Sequence, residues 1–549
     1  MQGLMMDYPL TLDAILRRAD TLYGSRPIVS RLPDTSLHRY TYRELAARSR
    51  RLAVALGRLG IQDGDRVATF CWNHHHHLEA YFGIPAAGAV LHTLNLRLHP
   101  DELAYIMTHA GDKAVIVDAD LMPMFEKVRE RVASLQIIVA SEESGRASDG
   151  AIDYESLLSP VHEEEFEERV RDEQAAAAMC YTTGTTGKPK AVLYSHRALV
   201  LHSYASCMVD CFGLTECDIV CPVVPMFHAN AWGLPFACAM IGASLVFPGP
   251  HLDPASLAEL FAAERISVTA GVPTIWLGLL QLLDKNPRAY DLSCLRAMVV
   301  GGSAAPQAMI RAFEERHTLK VIHAWGMTEM APLGTISQVP PDLSSSPADE
   351  QYRVRAKQGR PVVFVETRAR GDGGLVPWDG ATMGELEVRG PAVARAYFHD
   401  ETPAGNFTDD GWFRTGDIVT IDSRGFIEIQ DRAKDLIKSG GEWISSVALE
   451  NALMGHPAVA EAAVVGVPHE KWQERPLAVV VVKEGQSVTP DELRKYLAPQ
   501  FASWWLPDAF EFMPAIPRTS AGKFMKSTLR QQFKDYKQSS VNSRQSSVP

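Results

Sequence analysis

Long apolar runs are missing from this chain. No stretch approaches the ~18 uncharged apolar residues that a bilayer crossing requires. The opening residues, MQGLMMDYPLTLDAILRRAD, hold no basic segment followed by a long apolar core, so no secretory leader is expected and a cytoplasmic location is. An excess of positive charge is missing too. At a net charge of -12 the chain is a poor candidate for nucleic-acid backbone binding, which needs a basic surface. Cysteine is sparse: eight in 549 residues cannot form a disulfide scaffold and suit a reducing compartment. Cys207, Cys211, Cys217 and Cys221 are spaced C-x3-C-x5-C-x3-C, without the C-x2-C knuckles of structural zinc sites. They read as small buried hydrophobes. The run His74–His77 lies inside a strand-then-helix pattern far from either terminus, and reads as native sequence rather than a tag.

What is present is a large globular composition, 46% apolar and 22% charged, in a chain long enough for at least two domains. Arg66–Trp72, Lys113–Asp118, Ile219–Phe227, Ala243–Pro248 and Ala297–Gly301 read as buried strands. Between them stand helices such as Tyr42–Leu59 and Pro254–Arg265, the latter capped by Asp253. This alternation predicts α/β sheets with helices on their faces. After about residue 340 short strands take over at Gly384–Arg389, Ile418–Ile421 and Gly425–Gln430, with a hairpin connection over Asp422–Gly425. The charged, glycine-containing segment Asp431–Gly441 suggests a domain joint. Beyond it an α+β unit is expected, with helices at 446–454 and 490–498 and strands at 461–466 and 477–482, then a disordered polar tail from 537 to 549.

The most informative stretch is Tyr181-Thr-Thr-Gly-Thr-Thr-Gly-Lys-Pro-Lys190. Gly184 and Gly187 let backbone approach an anion closely. Thr182, Thr183, Thr185, Thr186, Lys188 and Lys190 add hydroxyl and ammonium donors. The loop follows the strand-like run Ala177–Tyr181, where a polyphosphate site in an α/β protein belongs. It is not a Walker A loop, because its glycines are too close together and Pro189 follows Lys188.

This segment resembles the signature of the adenylate-forming superfamily of acyl- and aryl-CoA ligases, luciferases and peptide-synthetase adenylation domains. The further motifs of that superfamily occur in order over roughly residues 10 to 535. The match is most similar to the medium- and long-chain fatty acyl-CoA synthetases and the methylmercaptopropionate-CoA ligases. Thr183 stands where serine is usual and Ala191 where glycine is usual. The resemblance implies a large adenylation domain over 1–431 that includes a small β-barrel-like part, a hinge over 432–434 centred on Lys434, and a small mobile catalytic domain over 435–536. It also implies ATP, Mg²⁺ and coenzyme A as cofactors or co-substrates, and a possible homodimer.

Residue roles follow from the same resemblance. Trp325, Gly326 and Met327 would form the adenine site, Thr328 would donate to the α-phosphate, and Glu329 would offer Mg²⁺ a hard oxygen ligand. Gly302, Ser303 and Ala304, within Gly301–Pro306, match the loop where the adenine and acyl group pass close to the backbone. Asp417, in Trp412-Phe-Arg-Thr-Gly-Asp417, and Arg432 would hold the ribose. Lys438, Gly440, Gly441, Glu442 and Trp443 match the loop that meets the pantetheine arm of CoA. Lys523, ending Pro517-Arg-Thr-Ser-Ala-Gly-Lys523, would be the cation that meets charge developing on the α-phosphate.

His228 and Trp232 occupy the place of the acyl-tunnel gate, with Thr274, Trp276 and Gly302 as further lining. No arginine or lysine stands in Val224–Gly233, which disfavours a dicarboxylate. The expected reaction is ATP-dependent activation of a medium- or long-chain fatty acid to its adenylate, then transfer to CoA. A short thioether acid, an aryl acid, or a carrier-protein thiol as acceptor stays open. So do a luciferase-like oxygenase and a non-catalytic nucleotide-binding protein, although the latter should have lost Lys523 or Glu329.

Overall fold

The computed structural model describes residues 1, 3–132, 135–140, 150–182, 188–400, 405–439, 442–518, 524–534 and 536. They form two compact units. The first comprises Met1–Ala305, Met309–Arg368 and Glu387–Thr415, and the second holds 306–308, 369–386 and the chain from Gly416 onward.

The first unit is built on two sheets. One has seven strands in the order Ile152–Asp153, Gln136–Ala140, Asp112–Asp118, Arg66–Phe70, Val90–Thr93, Ala176–Tyr181 and Ala191–Ser195. All neighbours are parallel except the last pair. The other has nine strands, parallel through its centre and antiparallel at both ends. Its centre holds Ser244–Phe247, Ile219–Pro222, Val268–Gly271, Ala297–Val300 and Val321–Gly326. Parallel strands are covered on both faces, which explains their continuous apolar sequences. Leu257, Phe261, Trp276, Leu279, Met309 and Phe313 pack from helices against the nine-stranded sheet.

Local signals place the helix starts. Thr41 begins Tyr42–Arg58 with a complete capping box to Glu44, and Asp253 caps Pro254–Ala263 through the Ser256 amide. Each such cap contributes about 1 kcal/mol. The expected strand Ile219–Phe227 stops at Pro222. From there the chain leaves the sheet, with the amides of Val223 and Val224 both donating to the Ala270 carbonyl. The apolar composition of Val223–Phe227 reflects burial in a loop, which periodicity cannot separate from a strand.

In the second unit, Phe413–Ile421 continues past Gly416 and pairs antiparallel with Ile427–Arg432. The Asp422–Gly425 connection closes as a tight turn, the Gly425 amide donating to the Asp422 carbonyl. Farther along, Val459–His469 and Gln473–Val482 pair along most of their lengths, and Ala509–Phe512 adds a parallel edge. Alternation decides the faces. Ala462, Val464, Ala478 and Val480 meet Leu449, Leu453, Leu493 and Leu497 from the helices Ser446–Met454 and Pro490–Leu497. Ala463, Val465, Leu477 and Val479 face Ile516 and Leu529 on the other side.

Candidate active site

The threonine-rich loop is carried by a hairpin. The strand Ala176–Tyr181 leads in and Ala191–Ser195 returns antiparallel, Tyr181 opposite Ala191. Its neck is closed by two bonds, Thr182 N–H to the Lys190 carbonyl at 2.8 Å and Lys190 N–H to Thr182 Oγ1 at 3.3 Å. A Walker A loop opens a helix, so the hairpin supports its exclusion. Thr183, Gly184, Thr185, Thr186 and Gly187 lie outside the described residues. At the neck, Lys188 Nζ stands 5.0 Å from the Tyr105 ring centroid, while Lys190 Nζ pairs with Asp400 at 3.0 Å and stands 4.5 Å from the Tyr397 ring centroid.

Tyr397 joins this neck to the second motif. Its phenol donates to Glu329 Oε1 at 2.8 Å, and burial followed by the nearby carboxylate raises its pKa, so it stays a donor. Glu329 and Thr328 are both buried, in a single turn that follows Met327 and runs to Met330. The Thr328 carbonyl accepts from Tyr194 Oη at 2.6 Å. Trp325 and Gly326 end the strand Val321–Gly326. At Gly326 a Cβ would lie 2.1 Å from the Pro332 carbonyl oxygen, so no side chain fits.

An apolar wall abuts this motif at Gly301. A Cβ there would come within 3.0 Å of the Trp232 ring on one side and 3.2 Å of the Ala324 carbonyl on the other. Gly302 lies beside Val272, Ser303 is exposed and Ala304 is half-buried. Trp232 belongs to an unusual turn: Ala229, Asn230, Ala231 and Trp232 all have positive φ, from 43° to 56°. Left-handed backbone costs non-glycine residues about 1–2 kcal/mol each, so surrounding packing must hold the turn. His228 is half-buried beside it, and Thr274 is likewise half-buried. Trp276 is wholly buried, its indole N–H donating to the Val299 carbonyl at 3.2 Å and its ring backing Gly271.

In the second unit, Asp417 and Arg432 are cross-strand partners, with Arg432 Nε 2.6 Å from the buried Asp417 carboxylate. The Lys434 carbonyl accepts from Arg530, and burial lowers the Lys434 pKa. Lys438 and Trp443 face each other across Ile437–Ser439 and Glu442–Ile444, with the ammonium 4.7 Å from the ring centroid. Gly440, Gly441 and Lys523 lie outside the described residues, as does the Glu442 side chain.

Sequence reading missed Tyr397, Asp400 and Tyr194. Tyr397 is 68 residues from Glu329 and Asp400 is 210 from Lys190, so no local spacing could have connected them. Within the histidine run, His74 has a structural role. His74 caps the helix His75–Ala86, its Nδ1 accepting from the His76 amide, and its Nε2 bonds both oxygens of Asp118 at 2.8 Å. Both ring nitrogens are therefore engaged. The four spaced cysteines are free thiols, but only Cys211 and Cys221 are buried as expected; Cys207 is half-buried and Cys217 exposed. Burial raises the pKa of Cys207 and Cys211 to about 12.

A donor-rich segment between two paired strands, with a buried carboxylate linked to its neck through Tyr397, fits an enzyme that activates a carboxylic acid with a nucleotide. The chain belongs to the AMP-binding enzyme family, whose model matches residues 16–398, with the AMP-binding enzyme C-terminal domain matching 448–523. It is an adenylate-forming acid–CoA ligase, and ATP and CoA are its co-substrates. It is 51% identical to the long-chain-fatty-acid–CoA ligase of Thermus thermophilus, covering 97% of each chain. It is 43% identical to the 3-methylmercaptopropionyl-CoA ligase of Ruegeria lacuscaerulensis, covering 97% of this chain and 99% of that one. The crystal structure of ATP-bound MatB from Rhodopseudomonas palustris superposes with a TM-score of 0.81 at 27% identity, over 96% of this chain and 99% of that one. Among the described residues no helix is long and apolar enough to cross a membrane.

Proposed function

We propose that this ligase activates a medium- or long-chain fatty acid. The observation that carries this reading is the close packing at Gly301, where an added Cβ would meet both the Trp232 ring and the Ala324 carbonyl that precedes Trp325–Glu329, so an uncharged apolar residue stands near the nucleotide motif. The 51% identity to a long-chain ligase over 97% of the chain supports it, as does the absence of basic residues in Val224–Gly233. A short thioether acid is the second reading, favoured by the 43% identity to a methylmercaptopropionyl-CoA ligase.

In this reading a carboxylate oxygen attacks the α-phosphorus of ATP, and the bond to pyrophosphate breaks. Thr182, Lys188 and Lys190, with Thr183–Gly187, hold the polyphosphate, and Thr328 donates to the α-phosphate. Trp325, Gly326 and Met327 with Gly302–Ala304 bound the adenine, and Asp417 and Arg432 take the ribose. Lys523 compensates the charge that grows as the bond breaks. The donor set fits a magnesium ion: Tyr397 uses one lone pair of Glu329 Oε1, and a carboxylate has about four. Bound there, Mg²⁺ would neutralise phosphate charge.

In the second half-reaction the CoA thiolate attacks the acyl carbonyl and AMP leaves. Lys438, Gly440, Gly441, Glu442 and Trp443 receive the pantetheine arm, and the chain turns at Lys434 between the two half-reactions. On the acyl side His228 and Trp232 gate the tunnel, with Thr274 and Gly302 in its wall and Trp276 behind it. The domains follow as 1–431, 432–434 and 435–536, in a cytoplasmic enzyme of fatty-acid metabolism that forms a homodimer. AMP release measured with ATP, Mg²⁺ and short, thioether, medium-chain, long-chain and aryl acids, with and without CoA, tests the proposal. CoA-dependent turnover confined to short or aryl acids would overturn the chain-length assignment.

A further inference from the structure

Just after the terminal motif the chain enters a short helix, Lys526–Gln532, whose two basic residues reach the same distant segment. Lys526 Nζ lies 2.7 Å from Glu450 Oε1 and 4.0 Å from Asp431 Oδ1, and it also donates to Ser446 Oγ. Asp431 accepts from the Ser446 amide at 2.9 Å, and Glu450 accepts from the Val464 amide at 2.7 Å. One turn later, Arg530 pairs with Asp435 and donates to the Lys434 carbonyl. The helix therefore grips residues 431–435 at both ends.

The described residues on either side of 519–523 are joined to one another as well. Arg518 bridges Phe524 in antiparallel register, and the Met525 amide donates to the Pro517 carbonyl at 2.8 Å. Arg518 also pairs with Glu461 at 2.6 Å and stands over the Phe524 ring. Desolvating Lys526, Glu450 and Asp431 costs several kcal/mol unless each charge is matched. An apolar core of equal volume would be at least as stable. The best-attested use of a buried charge socket is to fix one register.

We propose that Lys526 and Arg530 are positioning residues of this ligase, tying the chain just after Lys523 to the segment Asp431–Asp435. The inference rests on the assignment of Lys523 to adenylation. Displacement of a reacting group by about 1 Å can cost on the order of 100-fold in rate. Losing the socket should therefore slow the half-reaction that uses Lys523 and spare the other.

The experiment measures ATP–pyrophosphate exchange, thioester formation from supplied acyl-adenylate, and Tm, for Lys526→Met, Lys526→Arg, Arg530→Met and Lys523→Ala. Lys526→Met should lower exchange kcat about 10- to 100-fold with KM for ATP within about twofold. Thioester formation should stay within about threefold, and Lys526→Arg should restore most of the exchange. Adding Lys526→Met to Lys523→Ala should cost nothing further. Parallel loss of both half-reactions and of Tm, or unchanged exchange, overturns the inference. If Lys526→Met does not fold, the partly exposed Arg530 decides: exchange lowered several-fold at unchanged Tm supports the clamp, and normal exchange sinks it. Normal exchange in Lys523→Ala instead overturns the assignment on which the inference rests.

Discussion

Both units bury charged groups against partners, as Arg48 with Glu79 in the first, but the first also holds a set of neutral histidines. His77, His196, His202 and His323 have pKa values lowered to about 4, burial being the main cause, and each uses a ring nitrogen on a neutral partner. The second buries ions in sockets: Asp417 with Arg432, Asp431 and Glu450 with Lys526, and Arg475 with Asp508. Burial raises the Glu450 pKa to about 7, and Lys526 only partly offsets it. Neutral hydrogen-bonded groups make a rigid frame with no charge to compensate. Charge sockets are costlier, and removing one partner leaves a buried charge uncompensated.

Acid should separate the units most. A histidine with a folded pKa near 4 and an unfolded value near 6.5 supplies stability that is complete above 6.5 and is lost as pH falls towards 4. By pH 5 each of the four should have lost about 2 kcal/mol. Unfolding followed from pH 7 to 5 should show a steep loss, and His323→Gln should shrink it by about that amount. An identical pH slope in that variant would break the comparison. Glu450 works in the other direction, since its raised pKa favours the folded state at low pH and that advantage fades as pH rises through about 7.

Next in size is Lys523→Ala, expected to lower the adenylation rate 10²- to 10³-fold, about 3–4 kcal/mol, in pyrophosphate exchange. Asp417→Asn should raise KM for ATP roughly tenfold, by weakening a charged acceptor worth about 1.5–3 kcal/mol, and isothermal titration of ATP would check it. Smallest, Gly301→Ala should shift acyl preference at a cost of about 1 kcal/mol, because the added methyl meets the Trp232 ring at 3.0 Å. An unchanged chain-length profile would detach Trp232 from acyl selection.

Much of the frame was legible in the chain. Helix starts at Thr41 and Asp253 follow from capping chemistry, and the helix Ser446–Met454 falls at its expected bounds. The strand Ile219–Pro222 was overextended because a buried loop and a buried strand share one composition. The left-handed turn at Ala229–Trp232 gave little sequence signal, since of its residues only Asn230 favours positive φ.

The sequence by itself determined which chemical groups this ligase carries: loop donors, the Glu329 carboxylate, the Asp417 and Arg432 pair and a terminal lysine. Those depend on residue type and short spacing. Tertiary structure alone decided their partners. Tyr397 reaches Glu329, Asp400 reaches Lys190 and Lys526 reaches Asp431, because sheet order and burial bring distant segments together, and a buried polar group is stable only beside the group that satisfies it.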